Sequence, residues 1–145
     1  MLGAKNTQAR RAGRHQWVVL MLPITGVYEV AIRVKDLATA EPFYREVLGL
    51  EVGLRVEARN MLFLRAGGDS GMVVLQEDES EWPAQHFALT VAEADIERAA
   101  AMLREKGVEV NGPVLHEWMP AKSVYFNDPD GHALELCAPV CNETS

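Results

Sequence analysis

Residues 28–52 read YEVAIRVKDLATAEPFYREVLGLEV, and residues 85–110 read QHFALTVAEADIERAAAMLREKGVEV. Laid over one another, they are two copies of one pattern. Each opens on a run that alternates apolar and polar side chains with period two, as a half-buried strand does. Each passes into helical spacing and closes on Leu-Gly-Leu-Glu-Val or Lys-Gly-Val-Glu-Val. Glu29 falls on His86, Ala31 on Ala88 and Val34 on Val91.

The repeat continues. MLFLRAGGDSGMVVLQ (61–76) lies over SVYFNDPDGHALEL (123–136), with two extra residues in the turn of the first copy. Two units of roughly 55 residues are too few and too long for a solenoid, whose repeats run ~20–50 residues and number at least three. A pseudo-symmetric pair of βαβββ modules fits, and the fold class is α+β. Module one takes 26–78 and module two 84–139, within a single domain over 26–140. EDESEWPA (77–84) connects them.

Local signals agree with this division. A first helix is expected over 40–48, with Thr39 as N-cap and Pro42 tolerated in the first turn. A second is expected over about 94–106, with Ile96, Ala99, Ala100 and Leu103 facing inward and Gly107 ending it. NDPDGH (127–132) reads as a hairpin turn, because Pro fixes φ and Gly accepts positive φ.

Strands send alternate side chains to opposite faces. Val30, Ile32 and Val34 oppose Glu29, Ala31 and Arg33, while Phe87, Leu89 and Val91 oppose His86, Ala88 and Thr90. Near the end of the chain, Leu134 and Leu136 oppose Ala133, Glu135 and Cys137; Val124 and Phe126 oppose Ser123, Tyr125 and Asn127. One face is apolar and suits helices. The other carries Glu29, His86 and Glu135 among small residues that leave room for a ligand. Imidazole and carboxylates together suit a divalent metal, or a general-base pair without one.

The bulk numbers exclude other classes. A net charge of −7 argues against a nucleic-acid surface. Four of the basic residues, Lys5, Arg10, Arg11 and Arg14, precede residue 21 with no acid among them, so the remaining chain carries −11. The apolar run WVVLMLPI (17–24) is far too short to span a membrane and lacks a clear cleavage site. Residues 1–25 are therefore expected to be a disordered tail or an extraneous basic segment. Cys137 and Cys141 form no CxxC pair, which suits a reducing, cytoplasmic setting.

The repeat, the opening EVAIRVKDLATAEPFYREVLGLEV and the closing YFNDPDGHALEL resemble the vicinal oxygen chelate superfamily of glyoxalase I, bleomycin-resistance proteins, fosfomycin-resistance proteins and extradiol dioxygenases. The resemblance covers about residues 26–139. It implies a mixed sheet curling around a cleft. It also implies metal ligands on the first and last strands of each module, by position Glu29, Leu75, His86 and Glu135. Leucine cannot bind metal, and Gln76 is expected to face the helices. Glu29, His86 and Glu135 are left as a three-ligand set for Mn, Fe, Mg, Ni or Zn, with oxygen donors favouring the harder ions. The resemblance further implies a homodimer whose sites are shared, with Glu29 from one protomer and His86 and Glu135 from the other.

Two functions follow. The first is a metal-dependent enzyme of lyase, isomerase or dioxygenase type, acting on a small substrate that chelates the ion through vicinal oxygens. Glu29 or Glu135 would then serve as base, with Tyr125 in the catalytic set. Arg33, Phe63, Thr90, Trp118, Ser123 and Tyr125 would line the substrate site. The second is a metal-free binding protein that sequesters a small molecule or drug on aromatic cleft residues. His116, beside Trp118, is expected to serve edge packing, and His132 to stay outside the site.

Overall fold

The computed structural model describes residues 21–141. The expectation for the basic tail therefore falls largely outside the described residues. In chain order the elements are β1 (Glu29–Val34), α1 (Leu37–Pro42), β2 (Glu51–Val56), β3 (Met61–Arg65), β4 (Met72–Glu77), β5 (His86–Thr90), α2 (Ile96–Glu105), β6 (Asn111–His116), β7 (Ala121–Asn127) and β8 (Ala133–Pro139). The two modules are repeated down to strand order: β1-β4-β3-β2 in one sheet and β5-β8-β7-β6 in the other. Each first strand runs parallel to its module's last strand, and the remaining pairs are antiparallel. The parallel pairing forces a crossover, which the intervening helix supplies. The result is two separate four-stranded sheets.

The apolar faces meet across the helices. Ile32, Val34, Leu62, Leu64, Val73 and Leu75 of the first sheet join Val124, Phe126, Leu134 and Leu136 of the second in one core. Tyr44, Ile96, Ala100 and Leu103 fill it from the helical segments. Removing a side chain such as Leu75, fully buried here, is expected to cost ~2–5 kcal/mol.

The first helix differs from its expected bounds. Asp36, not Thr39, is the N-cap: its Oδ1 accepts from the Ala38 N–H at 3.0 Å, and Thr39 Oγ1 donates to its Oδ2 at 2.9 Å. Pro42 lies at the helix end rather than its start. It withholds the N–H that the Ala38 carbonyl would accept, and the chain loosens into a π-turn over Phe43–Val47. Leu48 N–H then reaches back to the Phe43 carbonyl at 3.1 Å. The second helix keeps its expected inner face, with Ile96, Ala100 and Leu103 buried and Ala99 packed beside them.

The register of the first sheet corrects the repeat alignment. Ala31 pairs with Val74, and Ala88, its counterpart, pairs with Glu135. Val74 is thus the partner position of Glu135, not Leu75, and the first copy's turn carries one extra residue, not two. Leu75 points into the core beside Ile32, and Gln76 lies on the side of Arg33 and away from the helices. The apolar run Met72–Leu75 has no alternation of its own, so strand pairing decides which side chain faces which way.

The NDPDGH turn clasps module one. Tyr44 donates its hydroxyl to Asp128 Oδ2 at 2.6 Å, and Lys35 N–H reaches Asp130 Oδ1 at 3.1 Å. His132 is fully buried and stacks on Trp82 with ring centroids 5.1 Å apart. Its Nδ1 accepts from Gln85 N–H at 2.8 Å, so Nε2 carries the proton and donates to the Arg33 carbonyl at 2.6 Å. As expected, His132 stays out of the cleft.

Candidate functional site

The cleft face of the second sheet is built by cross-strand pairing. His86 and Ala88 on β5 neighbour Ala133 and Glu135 on β8, and Tyr125 and Ser123 on β7 pair with Glu135 and Cys137. Directly paired residues share a face. Five chemistry-bearing side chains therefore converge: His86, Glu135, Ser123, Tyr125 and, one strand further out, His116.

Glu135 is 7% exposed and engaged at both oxygens. Ser123 Oγ donates to Oε1 at 2.5 Å, a charge-assisted bond. Oε2 lies 3.2 Å from His86 Nε2. The other imidazole nitrogen, Nδ1, lies 2.8 Å from the Ala133 carbonyl. A carbonyl only accepts, so Nδ1 carries the hydrogen. On a neutral ring, Nε2 then presents a lone pair directly at a carboxylate oxygen. Two lone pairs at this distance repel unless a proton or a cation lies between them. Ligands bound at ~2.0–2.2 Å to one ion stand about 3 Å apart, which is the spacing seen here. Anchoring the second imidazole nitrogen on a carbonyl is also how metal-bound histidines are commonly oriented.

Glu29 is not part of this group. It is exposed at the start of β1, on the equivalent face of the other sheet, so the shared face expected for Glu29, His86 and Glu135 is really two faces. Among the described residues, no three His, Cys, Asp or Glu side chains gather closely enough to hold an ion within one chain.

The expected substrate residues divide in the same way. Ser123 and Tyr125 sit with Glu135, and Thr90 shares their face at the end of β5. Phe63 pairs with Val74 in the first sheet, and Arg33 pairs with Gln76 there. Arg33 is already committed, with Nη1 2.6 Å from Asp78 Oδ2. Hydrogen bonds from Ser80, and then Arg33, hold the Asp78 carboxyl below the usual carboxylate range. Ser123 is fully buried and spends its proton on Glu135, so it supports the carboxylate.

His116, expected from the sequence to serve edge packing, instead reaches the cleft-side tyrosine. Its Nε2 lies 2.8 Å from the Tyr125 hydroxyl, and its ring lies 5.5 Å from that of Trp118. The available signal was its period-two spacing from Val114, which pairs with Ser123 and so marks the cleft side.

Comparison with known proteins fits this architecture. The family model described as Glyoxalase/Bleomycin resistance protein/Dioxygenase superfamily matches residues 26–136. The chain belongs to that superfamily. Among curated relatives, a glutathione transferase FosA from Serratia marcescens is 32% identical over 116 residues, covering 74% of this chain and 76% of that protein. A metallothiol transferase FosB from Staphylococcus epidermidis is 30% identical over 120 residues, covering 79% and 82%. Among solved structures, an integron cassette protein from the mobile metagenome of the Halifax Harbour sewage outfall superposes with TM-score 0.77 at 50% identity, covering 79% of this chain and 99% of that one.

Proposed function

We propose that this chain is a divalent-metal-dependent enzyme acting on a small molecule, with His86 and Glu135 supplying two ligands and Glu29 of a partner subunit the third. The observation that carries the reading is the 3.2 Å approach of His86 Nε2 to Glu135 Oε2, with Nδ1 turned to a carbonyl. The names of the curated relatives, a metallothiol transferase and a glutathione transferase, favour thiol transfer over the lyase, isomerase or dioxygenase chemistry expected from the sequence.

A bound divalent ion, with Mn, Fe, Mg, Ni and Zn as the candidates, would supply Lewis acidity toward a substrate oxygen. The chain's own residues do the rest. Ser123 fixes the rotamer of Glu135, and the Ala133 carbonyl fixes the ring of His86. Tyr125 stands on the strand beside Glu135, with its hydroxyl 2.8 Å from His116 Nε2. Ala88 and Ala133 leave space above the pair.

The separation of Glu29 from the pair supports completion by a second copy. Exposed apolar side chains on the cleft side of each sheet, Leu54 in module one and Val114 in module two, suit a partner. Two free cysteines suit a reducing cytoplasm, and no helix among the described residues is long and apolar enough to cross a membrane.

The test is titration calorimetry of chelator-treated protein with Mn²⁺, Zn²⁺, Fe²⁺, Ni²⁺ and Mg²⁺, together with the rate of thiol loss from glutathione when a small epoxide is supplied, whose ring opens as the carbon–sulfur bond forms. One tight site per chain, lost in His86→Ala, is expected. Absence of stoichiometric binding by every ion would overturn the reading and leave the metal-free binding protein in its place.

A further inference from the structure

Beside the His86–Glu135 pair stands a group of rings that the metal chemistry does not use. Tyr125 pairs directly with Glu135 across β7 and β8. His116 lies 2.8 Å from the Tyr125 hydroxyl, with ring centroids 6.1 Å apart and an interplanar angle of 72°. Trp118 follows at 5.5 Å from His116 and is 80% exposed. An indole left this open on a folded chain forgoes one of the largest burial gains available to a side chain. Here it stands at the rim of the cleft rather than on a featureless surface.

Charge sharpens what this wall accepts. Among the described residues of β5 to β8, the side chains on the cleft face include no Lys or Arg; Lys122 lies on the opposite face with Glu93 and Glu97. With Glu135 at its centre, this face of β5 to β8 gives an anionic group such as a phosphonate no cation of its own to meet. Small phosphate-like anions are recognised by Arg forks and Lys, and this face has neither.

We propose that His116, Trp118 and Tyr125 form a substrate subsite for a planar, uncharged aromatic group, placed beside the pair that acts on the rest of the molecule. The proposal deepens the functional reading above and rests on it. Tyr125, held edge-on by His116, sets the floor, and Trp118 closes over the ring. His116 is a positioning residue for Tyr125 and a tilted ring contact for Trp118, with an interplanar angle of 50°.

The experiment uses the full chain and 2-naphthol as probe, by titration calorimetry with and without Mn²⁺. Binding is expected in both states and is expected to weaken about 3- to 10-fold in Trp118→Ala and in His116→Ala, the scale of one lost ring contact. Trp118 is so exposed that its truncation leaves the fold intact. Methylphosphonate is expected not to compete in the metal-free chain. Unchanged naphthol affinity in Trp118→Ala, no binding to the unaltered chain, or displacement by methylphosphonate would each overturn the subsite. Glu135→Gln separates the two readings: it should abolish Mn²⁺ binding and leave naphthol binding. Naphthol binding to an unaltered chain that takes no divalent ion overturns the metal reading alone, and Mn²⁺ binding to the unaltered chain without naphthol binding overturns the subsite alone.

Discussion

Tyr44 in the π-turn of module one donates its hydroxyl to Asp128 Oδ2, 2.6 Å away in the NDPDGH turn of module two. The bond joins residues 84 positions apart and ties the helical segment of one repeat to the hairpin that precedes β8. Both partners are buried. Since β8 carries Glu135, this contact helps set the site's position against module one.

Replacing Tyr44 with Phe leaves Asp128 short of a donor and should cost ~1–3 kcal/mol, read as a lower urea midpoint with unchanged slope. The same substitution should change the alkaline limb. Burial, and then Asp128, push the Tyr44 phenol well above its ordinary value. A raised folded-state pKa means stability is complete below the unfolded value of ~10 and declines as pH rises beyond it, because the unfolded chain releases the proton first. Stability between about pH 10 and 11 should therefore fall less steeply in Tyr44→Phe than in the unaltered protein.

Ser123→Ala should weaken metal binding ~10- to 100-fold, the range for removing a group that orients a ligand. Its buried hydroxyl holds Glu135 Oε1 at 2.5 Å, and alanine leaves that carboxylate free to rotate. Calorimetry with Mn²⁺ measures it. Unchanged affinity would show that the Glu135 rotamer is set by packing alone.

If the site is completed across two subunits, Glu29→Ala and His86→Ala should each abolish binding alone. Mixed and allowed to exchange, they should recover one intact site per heterodimer, because one of the two sites then receives both wild-type residues. Recovery of metal binding on mixing is the expected result. A monomer in sedimentation analysis, or no recovery in a verified heterodimer, would rule the shared site out.

Module one has an acid-sensitive contact of its own. Arg55 on β2 binds Glu41 at 2.5 Å, and Arg45 binds it at 3.1 Å. The hydrogen bond from Arg55, and secondarily that from Arg45, lowers the Glu41 carboxyl below its ordinary value. A depressed folded-state pKa means the contribution is present above the unfolded value of ~4.3 and is lost as pH falls through the folded one. The site is partly open to solvent, so Glu41→Gln should cost no more than ~1 kcal/mol at pH 7 and nothing once the carboxyl is protonated. Melting curves at pH 7 and in strong acid check both.

Much of this protein is local and therefore legible in its chain. Period-two alternation in residues 29–34 and 86–91 marked both first strands and their faces, because a strand's side chains must alternate. His86, Glu135, Ser123 and Tyr125 fell on one face by the same rule. Where alternation is missing, reading fails. Met72–Leu75 is apolar throughout, so only its pairing with β1 shows that Val74, not Leu75, corresponds to Glu135. Asp36 took the cap from Thr39 because a side-chain bond to the Ala38 N–H outweighs position in a pattern.

The sequence by itself determined the two βαβββ modules, the superfamily and the chemistry on the second sheet's cleft face, all of which follow from repeat, periodicity and turn residues within short spans. The tertiary structure alone decided the rest. It turned His86 Nε2 toward Glu135, put Glu29 on a different sheet, and swung His116 from a presumed edge contact onto the hydroxyl of Tyr125. Those relationships depend on strand register and on how two sheets pack across their helices. Such long-range geometry comes from the whole chain's hydrogen bonds and burial together, and no local stretch encodes it.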